Sequence, residues 1–519
     1  MGNEGACFDV SMEQTPVNGG CIRIASFLFL ALTFLFLVTS SGRVRTVDEL
    51  AVNFQGQSLI THGTTAVPQA VAAGRFYGKL DRQGQPRAPY GEAQALLEVP
   101  WHVAARVLWM LLPQGSVPAD SKYLFMDAVV TSSSAAFSAL SATLAFLIFC
   151  HLGIAVRTAL AAALMIALAT QLFAYSAWLF SEPLVASLML AAALALFIGQ
   201  RSYPLGAAAL AGLFLGTMIW IRPTHVIAVP VFFLAVLIRD RERTASAALT
   251  LALIAGIFGG AYLLRNQIYF GGALDFGYPK LAEGGKRIIS FETPIATGLF
   301  GLLLSPGKSV FVFAPPILLA IPGVWKLAKR DLGLGILAGG MPLVYLLFFS
   351  RYTQWEGGFC IGPRYLVPSI TLLCLGLGPL LADAGPRTRK LAIVLFAAGV
   401  LVQAVSISTS FVEDQVWGNY YDSHWNYRMD YSSITSQGKL LLHYLSSSEP
   451  ARLGLGYDRW FVFLAKAGAR HSVLACGLLF ELLGLGFFSW KLRKAVMELS
   501  DREPLKPLER VAAAPVPVE

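Results

Sequence analysis

Residues 22–50 read IRIASFLFLALTFLFLVTSSGRVRTVDEL. From Ile22 to Ser40 there is one charge, Arg23 at the very start, and no alternation of apolar with polar residues. Coiled as an α-helix at 1.5 Å per residue, this run is about 28 Å long, close to the ~30 Å hydrocarbon core of a bilayer. A continuous apolar run of that length spans as a helix, because a barrel strand would alternate with period two. Eleven more blocks of the same kind follow, near 124–150, 157–177, 183–199, 205–221, 224–238, 246–264, 309–326, 332–349, 365–382, 391–410 and 471–490. The segment 295–305 (IATGLFGLLLS) is too short to cross and reads as a re-entrant or interfacial piece.

Composition agrees with the blocks. Of 519 residues, 55% are hydrophobic and 14% are charged, against roughly a quarter charged in soluble domains, and the mean hydropathy is +0.60. A soluble enzyme, a disordered chain and a nucleic-acid module are excluded. The expected fold is all-α, a polytopic helical membrane protein of about twelve transmembrane helices with amphipathic helices in its first outer loop. Cysteines 7, 21, 150, 360, 374 and 476 are scattered and form neither a zinc spacing nor a disulfide framework.

Every second connection is short and basic: Arg157, Arg201, Arg239 to Arg243, Lys326 to Arg330, Arg387 to Lys390 and Lys491 to Lys494. The positive-inside rule places these loops and both termini in the cytoplasm, and loops 41–123, 265–308, 350–364 and 411–470 outside. The expected organisation is a cytoplasmic segment 1–21, a membrane domain 22–410 that includes outer loop 41–123, an outer loop 411–470, a last span 471–490 and a cytoplasmic tail 491–519. The first span reads as an uncleaved anchor, the start of the chain lacks the Ser or Thr of a myristoylation signal, and the Pro- and Ala-rich end is expected to be disordered. The net charge of +9 is partly the topology signal, so it is weak support for an anionic partner.

Almost no ionisable residue lies at mid-span, which argues against an ion-coupled carrier with carboxylates at the midplane. The unusual polar residues gather at the outer ends. Asp48 and Glu49 follow the first span, and a carboxylate pair at the surface suits a general base beside a lipid-borne substrate. The same residues also read as a helix start, capped by Thr46 or Asp48. The loop continues through Ala88-Pro89-Tyr90-Gly91 to an apolar helix near 92–112, with Trp101, His102, Arg106 and Trp109, expected to lie along the outer surface with His102 as an interfacial hydrogen bonder.

Four further stretches stand out. Phe180-Ser181-Glu182-Pro183 is an outer turn whose Glu182 either caps a helix or faces substrate. Trp220-Ile221-Arg222-Pro223-Thr224-His225 sets a guanidinium at the next outer turn, either snorkelling or ready for a phosphate. Gly301 to Ser309 imitates a nucleotide loop, but five residues separate its glycines and no strand precedes it, so Lys308 reads as a lipid-phosphate contact instead. Gly362-Pro363-Arg364-Tyr365 ends a Gly-rich outer loop with another cation, in a phosphate contact or a surface turn.

The acidic pair soon after span one, the Pro-Tyr-Gly entry to a helix, the outer Ser-Glu-Pro turn, Leu303 to Lys308 and Gly362 to Pro368 together resemble the GT-C glycosyltransferases, in particular bacterial relatives of the protein O-mannosyltransferases and the lipid A aminoarabinose transferases. The resemblance covers most of 22–385 and lies in the order and sidedness of short motifs. It implies a bacterial inner-membrane enzyme that moves a sugar, with inversion, from a polyprenyl-phosphate donor to a lipid, glycan or protein acceptor at the outer face. It implies Asp48 as base with Glu49 beside it, Arg222, Lys308 and Arg364 as donor-phosphate ligands, and Glu182, Tyr90 and His225 as supporting residues. No cofactor is implied, no His/Asp/Glu cluster indicates a divalent metal, and membrane lipids rather than nucleic acid are the surroundings. The chain departs from the family in having no arginine between Leu50 and Phe54 and only Pro86 and Pro89 before the loop helix. A lipid-linked-sugar flippase or secondary transporter is the competing reading, and a structural partner in an envelope assembly is a third. The aromatic stretch with Trp417, Tyr420, Tyr421, Asp422, His424 and Trp425 reads as an acceptor contact or as an ordinary interface loop.

Overall fold

The computed structural model describes residues 19–199, 204–239, 241–278, 290–358, 360–412, 426–446 and 456–502. The aromatic stretch 417–425, the first eighteen residues and the tail beyond Arg502 lie outside the described residues. Most of the described residues are helical. The first helix, α1 (Gly19–Thr39), lies against α6 (Lys122–His151) and the last helix (His471–Arg502). Between α1 and α6 the first outer loop folds as α2 (Val47–His62), α3 (Pro68–Ala72), a hairpin of β1 (Lys79–Leu80) with β2 (Pro86–Arg87), α4 (Ala93–Leu97) and α5 (Val99–Leu111).

After α6 come α7 (Val156–Ala169), α8 (Gln171–Tyr175), α9 (Glu182–Gly199), α10 (Pro204–Ile221), α11 (Ala228–Arg239) and α12 (Arg241–Phe270). Then follow α13 (Ile295–Leu304), α14 (Val310–Phe313), α15 (Ile317–Arg330), α16 (Leu332–Ser350), α17 (Val367–Leu373), α18 (Leu377–Ala382) and α19 (Pro386–Ser408). Helices Ser433–Ser446 and Trp460–Lys466 precede the last one. Among the described residues eight helices are long and apolar enough to cross a membrane, and four shorter apolar ones accompany them. Each expected span coincides with helix, and the short piece at 295–305 is the ten-residue α13.

Three expected spans are interrupted. The run 157–177 stops at Ala169, where extended Thr170 caps α8 by accepting a hydrogen bond from Leu172 N at 3.3 Å. The run 309–326 breaks at Ala314, because Pro315 and Pro316 deny helical backbone to the residue before them. The run 365–382 carries a 3₁₀ turn at Cys374–Gly376 between α17 and α18.

With lipid as solvent there is no hydrophobic gain in pressing two apolar helices together, so close backbone approach must do the work. Gly212 and Gly216 supply it on α10: a Cβ on Gly216 would lie 2.4 Å from the Phe258 ring of α12, and one on Gly212 would lie 2.9 Å from Leu251 O. Gly323 of α15 and Gly376 meet in the same way, with Gly376 O only 2.1 Å from a Cβ placed on Gly323. Several hydroxyls along the spans donate to the carbonyl one turn back, as in Thr33 to Phe29 O at 2.7 Å and Thr143 to Ala139 O at 2.8 Å, which satisfies them within their own helix.

The first outer loop is pinned down at several points. Arg265, near the end of α12, holds Glu92 at 2.7 Å and the Tyr90 carbonyl at 3.3 Å, and Gly91 sits so close to Trp220 O that a Cβ would come within 1.7 Å. Arg43 and Arg45 share the buried Asp458 carboxylate at 2.7 and 2.8 Å, clasping the start of the loop to the segment before the last helix. One expectation is corrected here. His102 is not interfacial: α2 packs over α5, Gly56 presses on the ring, and the residue is 1% exposed with no hydrogen-bond partner on Nε2.

Candidate active site

The helix start at Thr46 decides which member of the acidic pair is available. Thr46 Oγ1 accepts from Glu49 N at 3.3 Å, and Glu49 Oε2 accepts in return from Thr46 N at 2.8 Å and from Arg45 N at 3.1 Å. This reciprocal box is the expected result of Thr followed three residues later by Glu. The other oxygen of Glu49 accepts from Leu179 N at 3.1 Å, which ties the start of α2 to the segment leading into Glu182. Glu49 is thus fully buried and satisfied by backbone amides. Asp48, one residue earlier, keeps its carboxylate for side chains.

Three side chains converge on it. The Tyr90 hydroxyl donates to Oδ1. Arg222 Nη2 donates to Oδ2 at 2.9 Å, and Arg364 Nη2 pairs with the same oxygen at 2.7 Å. Arg364 in turn donates from Nε to Glu182 Oε1 at 2.7 Å and lies 4.1 Å above the Phe180 ring, while Arg222 lies 4.6 Å above the Tyr90 ring. Weakly hydrated guanidiniums stack on aromatic faces in this way, which fixes their planes as well as their charge. Two carboxylates and two guanidiniums make a neutral quartet. Burial pushes the Asp48 carboxyl up, but the Arg364 and Arg222 charges and the Tyr90 hydrogen bond outweigh it and hold the group well below the usual carboxylate range. The Tyr90 phenol is pushed well above its usual value by burial and by the Asp48 charge.

Each member arrives from a different helix end. Asp48 opens α2, Glu182 opens α9, Arg222 follows α10, and Arg364 opens the 3₁₀ turn that leads into α17. Beside them is a narrow cleft of about 30 Å³, room for a couple of water molecules. Its walls include Glu182, Arg222, His225, Tyr278, Tyr352 and Tyr365. His225 is buried there with Nδ1 2.8 Å from the Tyr345 hydroxyl.

Five residues singled out in the sequence, Asp48, Tyr90, Glu182, Arg222 and Arg364, therefore meet in one network, and His225 lines the adjoining cleft. Lys308 is placed apart from it. Its ammonium is buried and donates to Cys360 O at 2.9 Å and to Cys360 Sγ at 3.3 Å. The three tyrosines of the cleft wall carry no assigned role from the sequence; Tyr365 lies inside the Gly362 to Tyr365 stretch, and Tyr278 and Tyr352 were missed. Among the described residues, no group of three or more His, Cys, Asp or Glu could hold a metal ion.

No family model matches the chain, and no curated protein matches it. Among solved structures it is similar to the crystal structure of ArnT from Cupriavidus metallidurans in the apo state, with 15% sequence identity, a TM-score of 0.44, and coverage of 90% of this chain and 76% of that one. The likeness is distant, and the functional reading below rests on the quartet.

Proposed function

We propose that the chain is a membrane glycosyltransferase that moves a sugar, with inversion, from a polyprenyl-phosphate donor to an acceptor hydroxyl at the outer membrane face. The observation that carries this reading is the Asp48 carboxylate with two guanidiniums on one of its oxygens, beside a cleft walled by tyrosines. One base is needed, because the leaving group is already a stable anion. The acceptor O–H gives its proton to Asp48, and the acceptor oxygen attacks the anomeric carbon from the face opposite the phosphate. The bond between that carbon and the phosphate oxygen breaks, and its electron pair goes to the phosphate. Arg222 and Arg364 stabilise the charge that develops there, the kind of preorganised contact worth about 10²–10³ in rate when removed. The motif resemblance to the GT-C glycosyltransferases supports the same donor class. Lys308, held on Cys360, is assigned no direct part.

The test uses the purified protein with membrane extract and labelled polyprenyl-phosphate sugars, comparing wild type with Asp48→Asn. Loss of transfer in the variant is expected. Undiminished transfer would remove Asp48 as base, and movement of the labelled lipid without transfer would favour a flippase.

A further inference from the structure

The two guanidiniums that the reading above gives to the donor phosphate are already in use. Arg222 is bound to Asp48, and Arg364 to both Asp48 and Glu182. The quartet is neutral, so a phosphate gains little from approaching it as it stands; it must displace a carboxylate.

The geometry says which one. Glu182 is buried at the first turn of α9, with Oε1 fixed on Arg364 Nε at 2.7 Å in a charge-assisted hydrogen bond, and that bond leaves the Nη groups turned toward Asp48. Asp48 has more partners than Glu182, whose Oε2 has no hydrogen-bond partner, but it is the more accessible of the two. Its side chain is 18% exposed against 5% for Glu182, and its contact with Arg364 is an ion pair without hydrogen-bond geometry, since Arg364 Nη2 finds no hydrogen-bond acceptor. The Arg222 side chain is exposed to a similar degree, at 16%. Exchanging Asp48 for a phosphate oxygen would also give Arg364 Nη2 the acceptor it lacks.

Resting on the transferase reading, we propose that Asp48 and the donor phosphate compete for Arg222 and Arg364, so that donor binding frees the carboxylate to act as base and the carboxylate's return expels the product phosphate. Glu182 is then the positioning residue that keeps Arg364 in place while its partner changes. Charge follows the chemistry. The donor is a phosphodiester with one negative charge, and the product is a monoester approaching two at neutral pH. As the acceptor proton reaches Asp48, that carboxyl becomes neutral and loses its hold on the guanidiniums, at the moment when the phosphate gains its second charge. When Asp48 gives the proton to water it again rivals the phosphate. Without donor, a carboxylate clamped between two guanidiniums is a poor base, which protects the site from idle proton transfer.

The competition has a sign that a purely structural role for Asp48 does not share. The probe is a short-chain polyprenyl monophosphate in detergent, with the matching polyprenol as the uncharged control. Asp48→Asn keeps the shape and removes the rival charge, so it should bind the monophosphate about tenfold more tightly or better, equivalent to about 1.4 kcal/mol, while the polyprenol binds both proteins alike and transfer is lost. Asp48→Ala is read in the same way, and either folded variant decides. Unchanged or weaker monophosphate binding, with transfer still lost, overturns the competition and leaves Asp48 as base. Equal tightening for the polyprenol also overturns it, because the gain would then not be electrostatic. Failure of wild type and variants alike to bind the monophosphate overturns both the competition and the transferase reading.

Discussion

Glu98 gives the sharpest stability prediction. It sits at the joint of α4 and α5, 1% exposed, with Oε1 accepting from Gln94 Nε2 at 3.0 Å and Ser133 Oγ at 3.5 Å, and with Oε2 unpartnered. Burial pushes its carboxyl up to about 8, and the two hydrogen bonds offset only part of that rise. Between the ordinary value of 4.5 and 8, the folded protein keeps a proton that the unfolded chain has lost, so stability falls as pH rises through that range and levels off above it. His102 lies one turn further along α5 and works the other way. Burial, with Arg106 nearby, pushes it down to about 4 from 6.5, so it stabilises as pH rises from 4 to 6.5 and contributes nothing further beyond. The window free of His102 runs from 6.5 to 8. Those 1.5 pH units, at about 1.4 kcal/mol each, come to about 2 kcal/mol. Glu98→Gln keeps the shape and the bond to Ser133 but cannot ionise. Thermal melting of the detergent-solubilised protein at pH 6.5 and 8.0 should therefore show wild type losing a few degrees that the variant keeps. Parallel pH curves for the two proteins would refute the reasoning.

Three other perturbations follow from named contacts. Asp458→Ala withdraws the buried carboxylate shared by Arg43 and Arg45, and should cost about 3–5 kcal/mol in thermal or denaturant melting; because Arg45 leads into α2, transfer should fall as well. Burial raises the Asp458 carboxyl but the Arg45 and Arg43 charges hold it below the usual range, so this clasp holds above pH 4 and weakens only in stronger acid. Gly91→Ala would drive a methyl into Trp220 O, moving Tyr90 away from Asp48, and should cost about 1–3 kcal/mol with a matching loss of transfer. Arg364→Lys keeps the charge, but under the proposed transferase reading one ammonium cannot serve Glu182 and a donor phosphate at once, and transfer assays should show a drop of about 10²-fold with the protein still folded.

The spans are legible in the chain of residues alone, because in lipid every backbone group must find its partner within the same segment, so each helix is written in a contiguous block of residues. The break at Pro315-Pro316 and the box of Thr46 with Glu49 are local in the same sense. The place where candidate site residues gather was legible too, because polar residues that withdraw from mid-span collect at the helix ends where Asp48, Glu182, Arg222 and Arg364 are found. The pairing of those residues, by contrast, comes from the way the helices pack. Nothing near Arg364 says that it meets Glu182, 182 positions away, as well as Asp48, and nothing near Lys308 sends its ammonium to Cys360 instead. Nor does the amphipathic pattern of α5 reveal that α2 covers His102. Those outcomes depend on which helix ends become neighbours, and that is set by close approaches such as Gly216 on Phe258 and Gly323 on Gly376, where the absence of a side chain matters only once the facing helix is in place.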